Sequence, residues 1–274
     1  MRGITRVLRP AAIVLVCVIS LFPLYWMFVT AVTPKEELLR YPPIFFQTAP
    51  DFASFSRVLL DRPLGLWMAN SLIMTVASMA FALVVSVFAA YSLSRFNSVF
   101  AGIIALLLLA TRMIPGTLLM VPLYVIFREW GILDTRTALI VSYTTFEIPF
   151  ATWMLKGYFD SLPKDLEEAA EVDGCTPLAS FLRVSLPLAA PGIAASAIAS
   201  WVLAWSDYEF ARGLLSSQAN WPLTLGIHSF FGEHVVYWND IMASSLLSTL
   251  PAVALFLVME RYIVSGLTAG AVKS

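Results

Sequence analysis

Apolar residues fill six long stretches of this 274-residue chain, and polar loops separate them. A helix crosses a bilayer with about 20 mostly apolar residues. The pattern therefore predicts spans at 11–32, 67–94, 99–126, 137–157, 188–209 and 241–263. Pro10 to Pro34 contains no charge, and it exceeds the roughly 7–15 apolar residues of a signal-peptide core. It reads as a retained first span. One stretch breaks the apolar rhythm. Residues 158–187 form an acidic island that reads as two short helices with a corner between them. Ser161 and Pro163 offer a cap and a first-turn residue, and Asp165, Glu167 and Glu168 suit the positive end of a helix. Gly174 can take left-handed dihedrals and end that helix. Thr176 and Pro177 are a second start signal, and Leu178, Phe181 and Leu182 form one apolar face. The whole chain, 1–274, reads as one membrane domain. Residues 158–187 are its polar loop, and 264–274 a small, flexible tail.

Composition sharpens this. Hydrophobic residues make up 59% of the chain and charged ones 13%, with a mean hydropathy of +0.81. That excludes a soluble globular protein and points to an all-α polytopic membrane protein in the lipid bilayer. A net charge of −1 implies no affinity for nucleic acid. Cys17 and Cys175 make no disulfide framework or thiol metal site. His228 and His234, flanking Phe230 and Phe231, read as an exposed loop pair. Arg2, Arg6 and Arg9 precede the first span with no acid among them, which places the N-terminus in the cytoplasm. Six crossings bring the C-terminus and the 158–187 island to the same side. Residues 35–62 then form an irregular outer loop, and Trp221, Tyr237 and Trp238 anchor a second one at the interface.

Charges inside spans mark candidate chemistry. Arg112 interrupts the third span and Glu147 the fourth. They read as a buried ion pair between helices, which is the favoured reading, or as the lining of a polar cavity. Asp207 and Glu209 end the fifth span, most simply at the interface. Tyr143, Thr144 and Thr145 cluster near Glu147, and Asn70, Ser71 and Thr75 lie on the second span. These are candidates for contacts with a hydroxyl-rich solute, although interhelical bonding is the commoner use of such groups. No GxxxxGK[ST] phosphate loop occurs, so the chain has no nucleotide site of its own.

The island also resembles a family signature. Glu168, Ala169 and Ala170 are followed after three residues by Gly174, and after nine more by Val184, Ser185, Leu186 and Pro187. This spacing is similar to the cytoplasmic signature of permease subunits of bacterial ATP-driven (ABC) importers. The tail VSGLTAGAVKS resembles that of the maltose-type sugar permeases. The run Trp205-Ser206-Asp207-Tyr208-Glu209-Phe210 departs from that group's usual Trp-Asn-acid-Phe pattern. The resemblance implies a type I importer permease with six transmembrane helices and a cytoplasmic coupling helix, in the bacterial inner membrane. It implies that Glu168, Ala169, Ala170 and Gly174, with Asp165 before them and Pro187 after, meet a separate ATPase. Arg112, Tyr143, Thr144, Glu147, Asn70 and Asp207 would be candidates for the sugar path. Expected partners are a second permease with a matching helix, two ATP-binding subunits that hold ATP and Mg, and an extracytoplasmic solute-binding protein. No cofactor or metal is expected in this chain, and no catalytic residue. Two other readings stand beside it. A glycerol-phosphate or phosphodiester importer would share the architecture. An ATP-independent transporter or channel would show repeats or broken half-helices, and neither is visible in the sequence.

Overall fold

The computed structural model describes residues 2–96, 99–232 and 235–271, with backbone alone for 2–8 and 261–271. Its principal helices are α1 (Arg2–Val32), α2 (Leu64–Arg95), α3 (Val99–Thr111), α4 (Met120–Glu129), α5 (Arg136–Ser161), α6 (Asp165–Val172), α7 (Ala190–Trp205), α8 (Glu209–Leu214) and α9 (Trp238–Ala271). Among the described residues the only extended pairing is an isolated bridge between Phe231 and Val236. The chain divides into two compact units, residues 1–66 with 226–251 and residues 67–225 with 252–274.

In the first unit, the end of α1 is tied down by side chains. The last carbonyls of a helix have no partner within it. Asn239 supplies one, donating from Nδ2 to Thr30 O at 2.8 Å and Thr33 O at 2.7 Å. Ser54 Oγ donates to Ala31 O at 2.7 Å. Arg57 pairs with the buried carboxylate of Asp240 at 2.7 Å. Earlier in α1, Ile13, Val16 and Ile19 are exposed all round, as residues facing lipid or another apolar surface would be.

The second unit corrects two expectations. The span expected at 99–126 is two helices. α3 stops at Thr111, and the chain bends by 92° before the segment Gly116–Glu129. Pro115, which has no N–H to donate, stands at the break next to charged Arg112. Thr111 Oγ1 donates back to Leu108 O at 2.7 Å, covering one of the freed carbonyls. The span expected from residue 188 runs as α7 from Ala190, just past a 68° bend from the loop segment Pro177–Leu188. Pro187 and Pro191 bracket that bend. One break inside an expected span, not visible in the sequence, is thus present, between Thr111 and Gly116. Among the described residues, four helices are long and apolar enough to cross a membrane, or up to six if each bent pair counts as one span. The tail expected to be flexible is helical to Ala271, and 272–274 lie outside the described residues.

Two apolar clusters hold this unit. Met74, Phe127, Leu139, Tyr143 and Leu214 form one; Val87, Leu155, Phe159, Phe181 and Ala189 form the other. Near the second, α5 and α7 approach so closely that a Cβ on Gly192 would sit 2.5 Å from the Tyr158 ring. Gly192→Ala should therefore destabilise the purified chain by about 1–3 kcal/mol. Tyr158→Leu in the same chain should recover part of the loss, read as thermal unfolding in detergent. An Ala variant as stable as the parent would show that the ring moves freely.

Between α4 and α5, Asp134 takes a positive φ of 58°, which Asp tolerates better than most residues. Its carboxylate accepts from the backbone N–H groups of Ser216 and Ser217, each at 2.9 Å, and from the Ser217 hydroxyl. Partial burial pushes this carboxyl up, but the donors from Ser217 and Ser216 outweigh it and hold it below its ordinary range. One acid thus staples the 131–135 loop to the 215–220 loop.

Candidate functional site

Two groups of candidate residues occupy separate parts of the second unit. The first is the polar corner. α6 starts at Asp165 after Lys164, which makes no side-chain cap bond, with Asp165, Glu167 and Glu168 in its first turn. Ser161, expected to cap it, instead ends α5 and donates to Tyr158 O at 2.6 Å. Gly174 has a φ of +92° and stops the helix, and Thr176 Oγ1 caps the next turn by accepting from Ala179 N at 3.3 Å. Of the expected apolar face, only Phe181 is buried; Leu178 and Leu182 are exposed. The reason is local. Residues Phe181–Ser185 form a π-helical turn, which shifts the i, i+3, i+4 register.

The corner presents Asp165, Glu168, Ala169, Gly174 and Pro187 outward, with Ala170 half-buried. Glu167, one position before the signature, points the other way. Its Oε1 accepts from Arg95 Nε at 2.8 Å and Ser185 Oγ at 2.6 Å, and its Oε2 from Tyr91 hydroxyl at 2.9 Å. Arg95 Nη2 lies 2.7 Å from the same carboxylate, with side chains only 9% and 12% exposed. Arg95 also donates to Phe159 O at 3.0 Å. Burial pushes the Glu167 carboxyl up, but bonds from Arg95, Ser185 and Tyr91 outweigh it and hold it below the usual range. Sequence reading grouped Glu167 with Asp165 and Glu168 at the positive end of the helix and gave it no partner. The clue was a lone arginine closing a 32-residue apolar helix next to an acid-rich turn.

The second group surrounds a cavity of about 220 Å³. Arg112, Tyr143, Glu147 and Asp207 line it together, with Phe146 and Phe210. The expected Arg112–Glu147 ion pair does not form. Arg112 donates from Nη1 to Phe146 O at 3.2 Å and lies 4.8 Å from the Phe150 ring centroid. Glu147 is 1% exposed; its Oε1 accepts from Ser78 Oγ at 3.2 Å, and its Oε2 has no partner. Asp207 accepts from Tyr143 hydroxyl at 2.9 Å and from Ala211 N at 3.1 Å, so it also starts α8. Phe146 and Phe210 stand 5.0 Å apart, and Phe210 packs where a Cβ on Gly116 would be 3.3 Å away. The half-helix break thus brings Gly116 up to the cavity wall.

The other candidates lie elsewhere. Asn70 donates from Nδ2 to Ala219 O and Trp221 O, each at 2.9 Å, and Ser71 accepts from Leu223 N. Thr144 and Thr145 bond back to their own helix at Ile140 O and Val141 O. These act as structural bonds. Phe146, which lines the cavity, and Ser78, which bonds to Glu147, were not singled out by the sequence. Among the described residues no group of His, Cys, Asp or Glu could hold a metal ion. His228 lies 5.5 Å from the Phe231 ring, and His234 falls outside the described residues.

Comparison with known proteins gives the family. Residues 82–269 match the family described as binding-protein-dependent transport system inner membrane component. The chain belongs to that family and is a multi-pass inner-membrane subunit of an ATP-driven importer. It is 36% identical over 266 residues to a sulfoquinovosyl glycerol transport system permease protein of Agrobacterium fabrum, covering 97% of this chain and 93% of that one. It is 34% identical over 256 residues to a diacetylchitobiose uptake system permease protein of Streptomyces coelicolor, covering 92% and 91%. A trehalose/maltose transport system permease protein of Thermococcus litoralis is 32% identical over 271 residues, covering 98% and 97%. The fold matches a solved bacterial ABC transporter involved in alginate import at a TM-score of 0.78 and 21% identity, over 95% of this chain and 96% of that one.

Proposed function

We propose that this chain forms half of the translocation path for a sugar and that solute movement is driven at the corner 158–187 by a separate ATPase. The observation that carries the reading is the two-sided α6. One side presents Glu168 and Ala169 to solvent, and the other is bound through Glu167 to Arg95 at the end of α2. A short helix held in this way transmits rigid-body motion into the spans. The small Ala169 allows close approach of a partner surface, and Glu168 offers it a charge.

In this reading both termini and the corner are cytoplasmic, and residues 1–274 act as one permease domain. A second permease with a matching helix completes the path, two ATP-binding subunits hold ATP and Mg, and an extracytoplasmic binding protein delivers the solute. The sequence itself lacks a phosphate loop. ATP binding draws the two ATPases together and biases the permease pair toward an outward-open state; hydrolysis returns it. The sugar cargo is supported by three relatives whose own descriptions name sugar-type solutes. A phosphate-type cargo fits less well, because Arg112 shares its cavity with two carboxylates.

The test is a reconstituted complex of this chain with its partner permease, ATPases and binding protein, exposed to a panel of sugars and glycerol phosphates. ATP hydrolysis should rise several-fold with at least one sugar and with no glycerol phosphate. Stimulation by the phosphates alone, or by nothing, would overturn the reading.

A further inference from the structure

We infer that the exposed break in the third span, residues 112–115, is covered by a second and different permease chain, and that this partner brings an acidic side chain to Arg112 in the middle of the bilayer. This rests on the importer reading above, in which two permeases share the path. It goes further in saying which surface meets the partner, what charge the partner carries there, and why a second copy of this chain does not serve.

Depth is the first argument. α3 has 13 residues, so Arg112 stands about 20 Å from the start of that helix, within a hydrocarbon layer of about 30 Å. Its guanidinium does not reach for the outer surface. It donates to Phe146 O at 3.2 Å and lies 4.8 Å from the Phe150 ring centroid. Those residues sit about 15 and 21 Å along α5, whose 26 residues span about 39 Å. The charge is thus held at half height, away from lipid headgroups. Yet Arg112 is exposed, as are Thr111, Met113, Ile114 and Pro115, and residues 112–115 lie outside any helix. Backbone without helical pairing does not face lipid at this depth; it occurs against protein or along water. Charged side chains within spans follow the same rule.

The neighbours decide between protein and water. Met113 is 83% exposed, Val121 73% and Leu118 67%. These are apolar groups that gain by leaving water. An arginine flanked by methionine and aliphatic side chains has the make-up of an interface centre, where an apolar surround keeps water out. Charge then fixes the partner's chemistry. Phe146 O is a neutral acceptor and takes one of the five N–H donors of Arg112. Among the described residues no carboxylate lies within 4.0 Å of it. A desolvated cation without an anion is costly, so the covering surface supplies one. A second copy of this chain has none to offer. The acids in its expected spans are Glu147, Asp207, Glu209 and Glu260. The last three stand at span ends, and Glu147 is 1% exposed. The partner is therefore another polypeptide, with Asp or Glu near the middle of a span.

Two measurements on membranes carrying the full importer test this. First, Met113 or Leu118 is replaced, one at a time, by the photo-crosslinker p-benzoylphenylalanine, with Arg112 intact. Illumination should join this chain to the second permease, on a spanning peptide that holds an Asp or Glu. A product of two copies of this chain, adducts to lipid alone, or no adduct overturns the proposal. Second, Arg112→Glu should lower the amount of second permease that co-purifies by about tenfold or more, as unpairing a buried charge does. Arg112→Lys keeps the charge and should lose less. Changing the partner's acid to Arg alongside Arg112→Glu should bring recovery to within about twofold of the parent, the signature of a direct pair. Parent-level co-purification of Arg112→Glu, or no rescue at any mid-span acid of the partner, overturns the pair. The crosslink is read with the arginine in place, so it decides the docking surface even if Arg112→Glu fails to fold. Failure of the broader reading looks different, because then the parent chain brings down no second permease and no sugar stimulates ATP hydrolysis.

Discussion

Glu167→Gln leaves a complex that still hydrolyses ATP but imports solute at about a tenth of the wild-type rate or less, a loss of about 1.4 kcal/mol in the coupled step. The argument starts from burial. The Arg95 and Glu167 side chains are 9% and 12% exposed, and Glu167 is the carboxylate that Arg95 contacts directly. Removing one member of such a pair leaves the other charge buried, which costs about 3–5 kcal/mol. In this chain the cost falls on the joint between α6 and α2. Once α6 can tilt without moving Arg95, motion of the docked ATPase is no longer passed on. Solute carried per ATP is the quantity to measure. Arg95→Lys keeps the charge without the fork and should recover part of it. A variant that folds and assembles with an unchanged ratio would end the coupling argument. The pH dependence follows from the sign of the shift. The folded carboxyl of Glu167 lies below its unfolded value, so the pair contributes fully above the ordinary carboxylate range and is lost only as pH falls through the lowered value. The coupling ratio should therefore be flat across neutral pH.

Gly174→Leu should abolish uptake while leaving the binding protein's affinity for solute intact. At φ +92° a side chain is strained, by about 1–2 kcal/mol. Yet a Cβ at this position meets nothing within 4 Å, so within this chain the cost is backbone alone. That allows two effects to be separated. Asn tolerates left-handed dihedrals and should retain most uptake. Ala carries the strain without bulk and should be intermediate. Leu carries the same strain and adds bulk to an outward surface. Uptake ranked Asn, Ala, Leu indicates that a partner docks there. Equal loss in Ala and Leu would mean that strain is the whole effect and that docking at Gly174 is wrong.

How far the sequence could be read depends on the range of each interaction. Helix starts, stops and apolar runs are local, and so the end of α6 at Gly174 and the Thr176 cap could be expected from neighbouring residues alone. The bend at Pro115 was within reach, since proline and an arginine stand together there, but the length of the apolar run hid it. The side chains that decide the candidate site act over distance. Glu167 finds Arg95 and Tyr91 across more than 70 positions, and Tyr143 finds Asp207 across 64. Periodicity carries no information about such pairs. The register of Leu178 and Leu182 failed for another reason: a π-helical turn changes which residues share a face, and nothing in the residue types announces it.

The break after α3 also governs how the chain can be made. Thirteen residues at about 1.5 Å each give a rod of roughly 20 Å, shorter than the roughly 30 Å hydrocarbon layer. Emerging from the ribosome alone, α3 closes its last carbonyls with the next few residues but leaves the Arg112 side chain without its partner in lipid. The acceptor that Arg112 uses, Phe146 O, is synthesised 34 residues later. At about 5–20 residues per second that is a wait of roughly 2–7 s. Biogenesis of this subunit must therefore hold the half-helix in the insertion machinery, or at the water boundary, until α5 arrives to receive it.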